Sequence, residues 1–149
     1  SYTKGFSQNT SGMSGAAETK DHFGSSFGAY GPTHIVVGVP GEDVVGNKIA
    51  DGGLVQSLDG QSWQQDSPGV NGKAEAGDRF GATMSNVLLP QQPTDDGWLS
   101  LVLIGVPGED GGVGSVIKGL PGGSGTTAEW KQPYGTAGDH YGAVLGRTN

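Results

Sequence analysis

The string Gly-Val-Pro-Gly-Glu-Asp occurs twice in this chain, at residues 38–43 and at residues 105–110. Each copy directly follows an apolar run, at 35–37 in the first case and at 101–104 in the second. A string that recurs in the same context indicates one supersecondary unit used more than once, and such units bury their apolar faces against their neighbours. The sequence therefore predicts a repeat protein.

A second signal, Asp-x-aromatic-Gly, precedes each copy of this string and occurs a third time near the C-terminus, so that its copies lie at 21–24, 78–81 and 139–142. A glycine after the aromatic residue lets the backbone pass close to a neighbouring strand, while the ring fills the space between sheets. The proline fixes the exit from a strand, and each Asp is placed to accept hydrogen bonds from turn amides. We assign these structural roles to Phe23, Gly24, Gly38, Pro40, Phe80, Gly81, Gly105, Pro107, Tyr141 and Gly142.

When the copies are overlaid, they predict a unit of four strands, each bounded by Gly and Pro. No segment shows a sustained helical period, so we expect almost no helix. Both fourth strands carry a Trp, and the two Trp residues are as far apart as the two Gly-Val-Pro-Gly-Glu-Asp strings. The predicted strands are 23–30, 34–39, 53–58 and 62–65 in the first unit, and 79–87, 99–106, 114–118 and 128–131 in the second.

The ends of the chain are out of phase with this unit. Phe6 precedes Asp21 by the same spacing that separates Trp63 from Asp78, which places a fourth strand within residues 1–8. We therefore expect two complete units flanked by two partial ones. The predicted division is 1–20 as the last strand of a preceding unit with its link, 21–66 and 78–132 as complete units, and 139–149 as the first strand of a following unit.

Composition limits the class of protein and of partner. The 149 residues include 30 Gly and 8 Pro, but these fall between the apolar runs, as expected of strands joined by turns. The formal charge of −7 repels polyanions, so no nucleic-acid partner is expected. No apolar stretch reaches the roughly 18 residues that a membrane span needs. The absence of cysteine excludes disulfides and thiolate metal sites.

Four-stranded antiparallel units that repeat radially are typical of β-propellers. The Phe-Gly pair at the start of strand one and the Gly-Val-Pro at the end of strand two resemble the two halves of the FG-GAP repeat. That repeat builds the seven-bladed propeller of integrin α-subunit heads and of many secreted bacterial proteins. The resemblance covers nearly the whole chain. It implies an all-β fold of propeller blades, each with four antiparallel strands, and an extracellular location; it implies less about function, because propellers host unrelated activities.

The resemblance also raises the question of calcium. Many FG-GAP repeats carry an Asp-x-Asp/Asn-x-Asp-Gly-x-x-Asp loop between strands one and two, whose oxygen atoms ligate the ion. In the second unit only Asp96 and Gly97 match this pattern, with Asp95 as an additional carboxylate, and in the first unit the link is shortened to 31–33 with no carboxylate. We expect no cofactor, and Asp95 and Asp96 are the remaining calcium candidates. The three histidines, His22, His34 and His140, are not spaced to form a zinc site.

Two patterns resemble catalytic motifs. Residues 24–28 fit Gly-x-Ser-x-Gly, which carries a nucleophile only at a strand-to-helix elbow, whereas here it lies in a predicted strand. The acidic pairs at 42–43 and 109–110 suggest acid/base chemistry. An active site is normally unique, however, and these pairs are duplicated with the turn. We therefore predict that they cap or solvate the turn, and we predict no catalytic residue.

The longest insertion, at 89–97, is followed by Trp98 and contains Asp95 and Asp96. An exposed aromatic residue beside polar groups suits a glycan or a protein ligand, so we take these three residues as ligand-binding candidates. The alternative is that Trp98 packs against its own blade. We expect a non-catalytic extracellular binding or adhesion module that recognises a protein or glycan through propeller loops and that associates with further propeller blades of the same or another chain.

Two alternatives for the function remain open. The chain can supply non-catalytic blades to a secreted hydrolase or lyase whose active site lies outside it, or it can be a purely structural subunit of a larger assembly. We also expect that this chain does not form a closed propeller as an isolated monomer, because two complete blades leave unpaired edges.

Overall fold

The computed structural model describes residues 5–30, 34–44, 48–90, 98–121 and 127–146. Within these ranges the chain is all-β and forms two four-stranded antiparallel sheets, as the sequence predicts. The first sheet has the order β1-β2-β3-β4 and the second β5-β6-β7-β8, so each strand pairs with its neighbours in the chain. The strands are β1 Phe27–Tyr30, β2 His34–Val39, β3 Leu54–Ser57, β4 Ser62–Trp63, β5 Thr83–Pro90, β6 Trp98–Val106, β7 Ser115–Lys118 and β8 Ala128–Lys131.

The first strand of each sheet starts later than predicted, at Phe27 and at Thr83. The Asp-x-aromatic-Gly segment before it forms a turn, because its second residue adopts a left-handed backbone conformation. This holds for His22 (φ 56°), Arg79 (φ 58°) and His140 (φ 47°). The glycine that closes each segment also has a positive φ, which a glycine adopts without a steric cost.

Helix is almost absent from the described residues, as predicted. The single element with helical hydrogen bonding, α1 (Glu109–Gly112), is four residues long. Its two central residues, Asp110 and Gly111, have left-handed backbone angles, so α1 is an irregular turn that follows β6 directly.

The hydrophobic core lies between the two sheets. Strand β1 of the first sheet packs against β5 and β6 of the second. Phe80, from the turn before β5, is fully buried and belongs to the same core. The core cluster contains Val36, Val55 and Trp63 from the first sheet, and Phe80, Val102, Ile104, Val106, Ile117 and Leu120 from the second repeat. The second repeat thus completes the core of the first.

Glycine allows the two sheets to approach at the level of the backbone. A Cβ atom built on Gly38 in β2 would overlap the carbonyl oxygen of Gly81, which belongs to the turn before β5. The same relationship holds one repeat later, where a Cβ on Gly105 would overlap the carbonyl oxygen of Gly142. The first glycine of the Gly-Val-Pro string therefore lies in direct contact with the glycine of the next Asp-x-aromatic-Gly segment. We refer to this contact region between consecutive repeats as the joint.

Candidate functional site

The ligand-binding candidates of the sequence analysis lie at the far end of the second sheet. Asp95 and Asp96 fall outside the described residues, and of Trp98 the structure describes the backbone, which pairs with Pro90. Leu89 and Pro90 belong to β5, so the inserted link is narrowed from 89–97 to 91–97. Within the described ranges, no group of three or more His, Asp or Glu side chains is placed to hold a metal ion. Calcium binding at Asp95 and Asp96 stays a prediction.

The serine of the Gly-x-Ser-x-Gly pattern has a structural partner. Ser26 is buried at the start of the first sheet, and its Oγ donates to the carbonyl oxygen of Gly81 at 2.6 Å. Thr83 holds the same position one repeat later, and its Oγ1 donates to the carbonyl oxygen of Gly142, also at 2.6 Å. In both repeats a side-chain hydroxyl thus bonds to the equivalent backbone oxygen of the next repeat. Ser26 therefore has a structural role and is not a nucleophile.

Each Asp of the Asp-x-aromatic-Gly segments accepts a hydrogen bond from a backbone amide three residues earlier. The Oδ2 atoms of Asp21, Asp78 and Asp139 accept from the backbone nitrogens of Glu18 at 2.6 Å, Glu75 at 2.5 Å and Thr136 at 2.8 Å, respectively. Asp21 and Asp78 are buried, whereas Asp139 is exposed. This bond fixes the turn before the aromatic residue, and of the three aromatic residues Phe80 is the one that is fully buried.

The glutamate of each Gly-Val-Pro-Gly-Glu-Asp string is also buried, and it has a glutamine partner. Gln8 donates from Nε2 to Oε2 of Glu42 at 2.6 Å, and Gln65 donates to Oε2 of Glu109 in the same way. Burying a carboxylate costs free energy unless it is hydrogen-bonded or paired. In each case, a glutamine of the preceding repeat therefore stabilises the buried glutamate.

The sequence analysis missed these glutamines, although a signal for them was present. The pattern aromatic-x-Gln occurs three times, at residues 6–8, 63–65 and 130–132, in phase with the repeat. The third glutamine, Gln132, is exposed. It holds the position from which Gln8 and Gln65 reach the glutamate of the following repeat.

Burial raises the pKa of Glu42 from 4.5 to about 7, and the negative charges of Asp21, Glu18 and Asp43 act in the same direction, against the hydrogen bond from Gln8. Asp78 behaves similarly in the next joint. Its burial raises its pKa from 3.8 to about 7, and the nearby charge of Glu109 adds to the shift. The carboxyl groups of Glu42 and Asp78 therefore take up a proton near neutral pH.

A cleft of about 380 Å³ opens beside Glu42 on the first sheet. The buried side chains of Trp63 and Leu54 form its apolar wall, and polar residues, including Glu42 and Asp43, form the remainder. The hydroxyls of Ser14 and Ser62 lie 2.9 Å apart and join two of its walls. The lining residues are Ser14, Gly15, Glu42, Asp43, Leu54, Ser62, Trp63, Gln64 and Ser67. We call this space the first acidic cleft.

In the second sheet the corresponding acids are paired with a lysine. Lys131 Nζ lies 3.0 Å from Oε1 of Glu109, 2.8 Å from Oδ2 of Asp110 and 3.4 Å from Oε1 of Glu129. Partial burial lowers the pKa of Lys131, but its hydrogen bonds to Asp110 and Glu109 outweigh that effect and raise the pKa above its usual range. The second pair of acids therefore has a cationic partner within its own sheet.

Among the described residues, no helix is long and apolar enough to cross a membrane. Comparison with models of known protein families finds no match to this chain, and neither does comparison with curated protein sequences.

Proposed function

We propose that this chain supplies two blades of an FG-GAP-type β-propeller, and that the propeller is a non-catalytic extracellular module that binds a protein or a glycan through its loops. The proposal rests on one observation. The two apolar surfaces that meet in the joint between the sheets occur again on the outer sides of the two sheets, where the described residues leave them exposed.

The first of these surfaces belongs to β1 and β2. Ile35 holds the position in β2 that Val102 holds in β6, three residues before the Gly-Val-Pro string. Val102 is 1% exposed because the first sheet covers it, with Gly28 of β1 at the contact, whereas Ile35 is 53% exposed. Phe27 is likewise exposed, although its counterpart Met84 packs against the core cluster. A preceding blade would cover Phe27 and Ile35 as the first sheet covers Met84 and Val102.

The second surface belongs to the last strand of each sheet. Trp63 and Trp130 pair with equivalent residues of β3 and β7, yet Trp63 is 6% exposed and Trp130 is 46% exposed. Phe80 is buried, whereas Tyr141, which holds its position one repeat later, is exposed. Exposed aromatic groups of this size mark surfaces that meet a partner. A following blade would cover Trp130 and Tyr141.

Binding through loops is supported by a comparison of the two repeats, which share the contacts between repeats and differ in the loop between strands one and two. The repeats share a glycine contact and a hydroxyl bond, at Gly81 and again at Gly142, and a glutamine–glutamate pair, at Glu42 and again at Glu109. The links between strands one and two differ, with residues 31–33 in the first sheet and 91–97 in the second. Variable loops on a repeated scaffold are where binding residues concentrate. The buried acids are duplicated in the joints, which supports a role in the scaffold instead of in catalysis.

The experiment replaces residues 91–97 by an Asn-Gly turn, which joins β5 to β6 directly. We expect the unmodified chain, labelled with a fluorophore, to bind members of a glycan array or of an array of extracellular protein domains. The shortened chain should lose these signals and keep its melting temperature, because a surface loop contributes little to the core.

Trp98→Ala serves as the single-residue version of the same test, and a substitution in the short link, Thr33→Ala, is the matched control that should retain binding. The loop proposal is wrong if the shortened chain unfolds, because the segment is then packed structure, or if it keeps every signal of the unmodified chain.

A further inference from the structure

The two sheets differ in the residue that lies beside their acidic pairs, each of which consists of a buried glutamate and an exposed aspartate. In the second sheet Lys131 directly follows Trp130, and its ammonium group bonds to Glu109 and Asp110. Gln64 directly follows Trp63 at the same position of the first sheet. Gln64 lines the same cleft as Glu42 and Asp43, which correspond to Glu109 and Asp110, so the first pair has a neutral amide at the position where the second pair has a cation.

The first pair of acids is not neutralised elsewhere in the described part of the chain. Glu42 is 7% exposed, and only its Oε2 receives a side-chain hydrogen bond there, from Gln8. Asp43 accepts a bond from the backbone nitrogen of Asp51 at 3.0 Å. No Lys, Arg or His of the described ranges forms an ion pair with either carboxylate. Burial without a counter-ion raises the pKa of Glu42 to about 7, so a cation that reaches this carboxyl group favours its ionised form and is bound by it.

The first acidic cleft provides the space that such a cation needs. It has a volume of about 380 Å³ and opens next to Glu42 and Asp43. The apolar wall formed by Trp63 and Leu54 suits methylene groups, since the stem of a lysine side chain is buried along apolar surface while its charged end remains polar. The hydroxyls of Ser14 and Ser62 add acceptors.

We propose that the first acidic cleft binds a primary ammonium group at the end of an unbranched alkyl chain, with Glu42 and Asp43 as its counter-ions. The second sheet shows this interaction within one chain, because Lys131 is such a group and contacts the equivalent acids. An ammonium ion fits the geometry because it is a compact charge with three donors. The group can come from a lysine side chain of a protein or from a free alkyl amine. The inference is independent of the loop at 91–97.

The test is a titration followed by the backbone amide signals of the uniformly labelled chain in nuclear magnetic resonance spectra. The probes are n-butylammonium, 1,5-diaminopentane and Nα-acetyl-lysine amide, with n-butanol and sodium chloride at matched concentrations as controls. We expect saturable shifts at Gly15, Glu42 and Asp43 with the amines and none with the controls. Tighter binding of Nα-acetyl-lysine amide identifies a protein side chain as the source, and tighter binding of the diamine identifies a free amine.

Two substitutions, each of which introduces the residue found at the same position of the other sheet, make the test more specific. Gln64→Lys supplies the missing internal ammonium group and should weaken the binding of n-butylammonium at least about tenfold, which corresponds to about 1.4 kcal/mol. Lys131→Gln empties the second site and should create new shifts at Glu109 and Asp110. If the Lys131→Gln variant does not fold, the binding of n-butylammonium to the Gln64→Lys variant tests the proposal alone.

Absence of saturable shifts in the unmodified chain overturns the proposal, and so does binding that is equally strong in Gln64→Lys. The chain with the Asn-Gly turn in place of 91–97 should bind n-butylammonium normally. This result separates a failure of the cleft proposal from a failure of the loop proposal.

Discussion

Gln8 donates a hydrogen bond from Nε2 to Oε2 of Glu42 at 2.6 Å, and this bond links a residue that precedes the first repeat to the loop that follows β2. Gln65 makes the same bond to Glu109 across the joint between the two sheets. Both glutamines and both glutamates are buried. The glutamine–glutamate hydrogen bond between consecutive repeats therefore recurs along the chain, as the contacts between apolar residues do.

Replacing Gln65 with leucine should lower the free energy of unfolding by about 1 to 3 kcal/mol, because the buried Glu109 loses a donor that water cannot replace. Urea denaturation measures the change. Gln132→Leu is the matched control, since Gln132 holds the same repeat position but is exposed, and it should alter stability by less than about 0.5 kcal/mol. Equal effects of the two substitutions would contradict the role of Gln65 in the joint.

Phe80→Ala should cost about 3 to 5 kcal/mol, because it leaves a cavity between the two sheets. Phe23→Ala removes the same side chain from the first Asp-x-aromatic-Gly segment, where it is only partly buried, and should cost much less. Urea denaturation of both variants gives the comparison. A Phe23→Ala variant as unstable as Phe80→Ala would show that the ring is needed within its own repeat and not in the joint.

Gly38→Ala should destabilise the chain by about 1 to 3 kcal/mol or more, because the added methyl group meets the backbone of Gly81, which has no side-chain freedom to yield. Gly5→Ala is the control, since a Cβ atom there meets nothing within 4 Å. Thermal unfolding monitored by circular dichroism measures both. A wild-type melting temperature for Gly38→Ala would rule out the backbone contact between the sheets.

Stability should decrease as the pH rises from about 4.5 to about 7. In the folded chain Glu42 keeps its proton up to about pH 7, whereas in the unfolded chain it releases it near 4.5. Between these values the folded state binds more protons, so raising the pH favours unfolding. Glu42→Gln should reduce this dependence, which melting temperatures of the two proteins across this pH range will show. Parallel curves for variant and wild type would disprove the assignment to Glu42.

The isolated chain should self-associate, because Ile35 and Trp130 are exposed at its two ends. Native mass spectrometry should show a distribution of oligomers, and Ile35→Glu and Trp130→Glu should each shift it towards the monomer. A monodisperse monomer that unfolds cooperatively, with unchanged mass in both variants, would count against further blades as partners.

The all-β class, the two sheets and their strand order were predictable because the repeat marks where each strand ends. Pro40 and Pro107 follow β2 and β6 at the predicted positions, since proline terminates strand pairing. The start of strand one was not predictable in the same way. Phe23 and Phe80 have high strand propensity, but the left-handed residue before each of them makes the segment a turn, and positive φ at His22 or Arg79 leaves no signal in residue type.

The candidate sites were less predictable than the fold. A buried hydrogen bond such as that of Gln65 joins residues far apart in the chain, and a single glutamine resembles any surface residue until its phase in the repeat is considered. The first acidic cleft depends on the contrast between Gln64 and Lys131. The sequence alone does not indicate that this difference matters. The structure does, because it shows Lys131 in contact with Glu109 and Asp110.

The coverage of Val102 by the first sheet has a thermodynamic consequence. Each added repeat buries its own faces and also removes from water the apolar surface of its neighbour, as the contrast with Ile35 shows. The heat capacity of unfolding and the denaturant m-value both scale with the surface exposed on unfolding. In a series of chains with one, two and three repeats, both quantities should therefore grow faster than the number of residues.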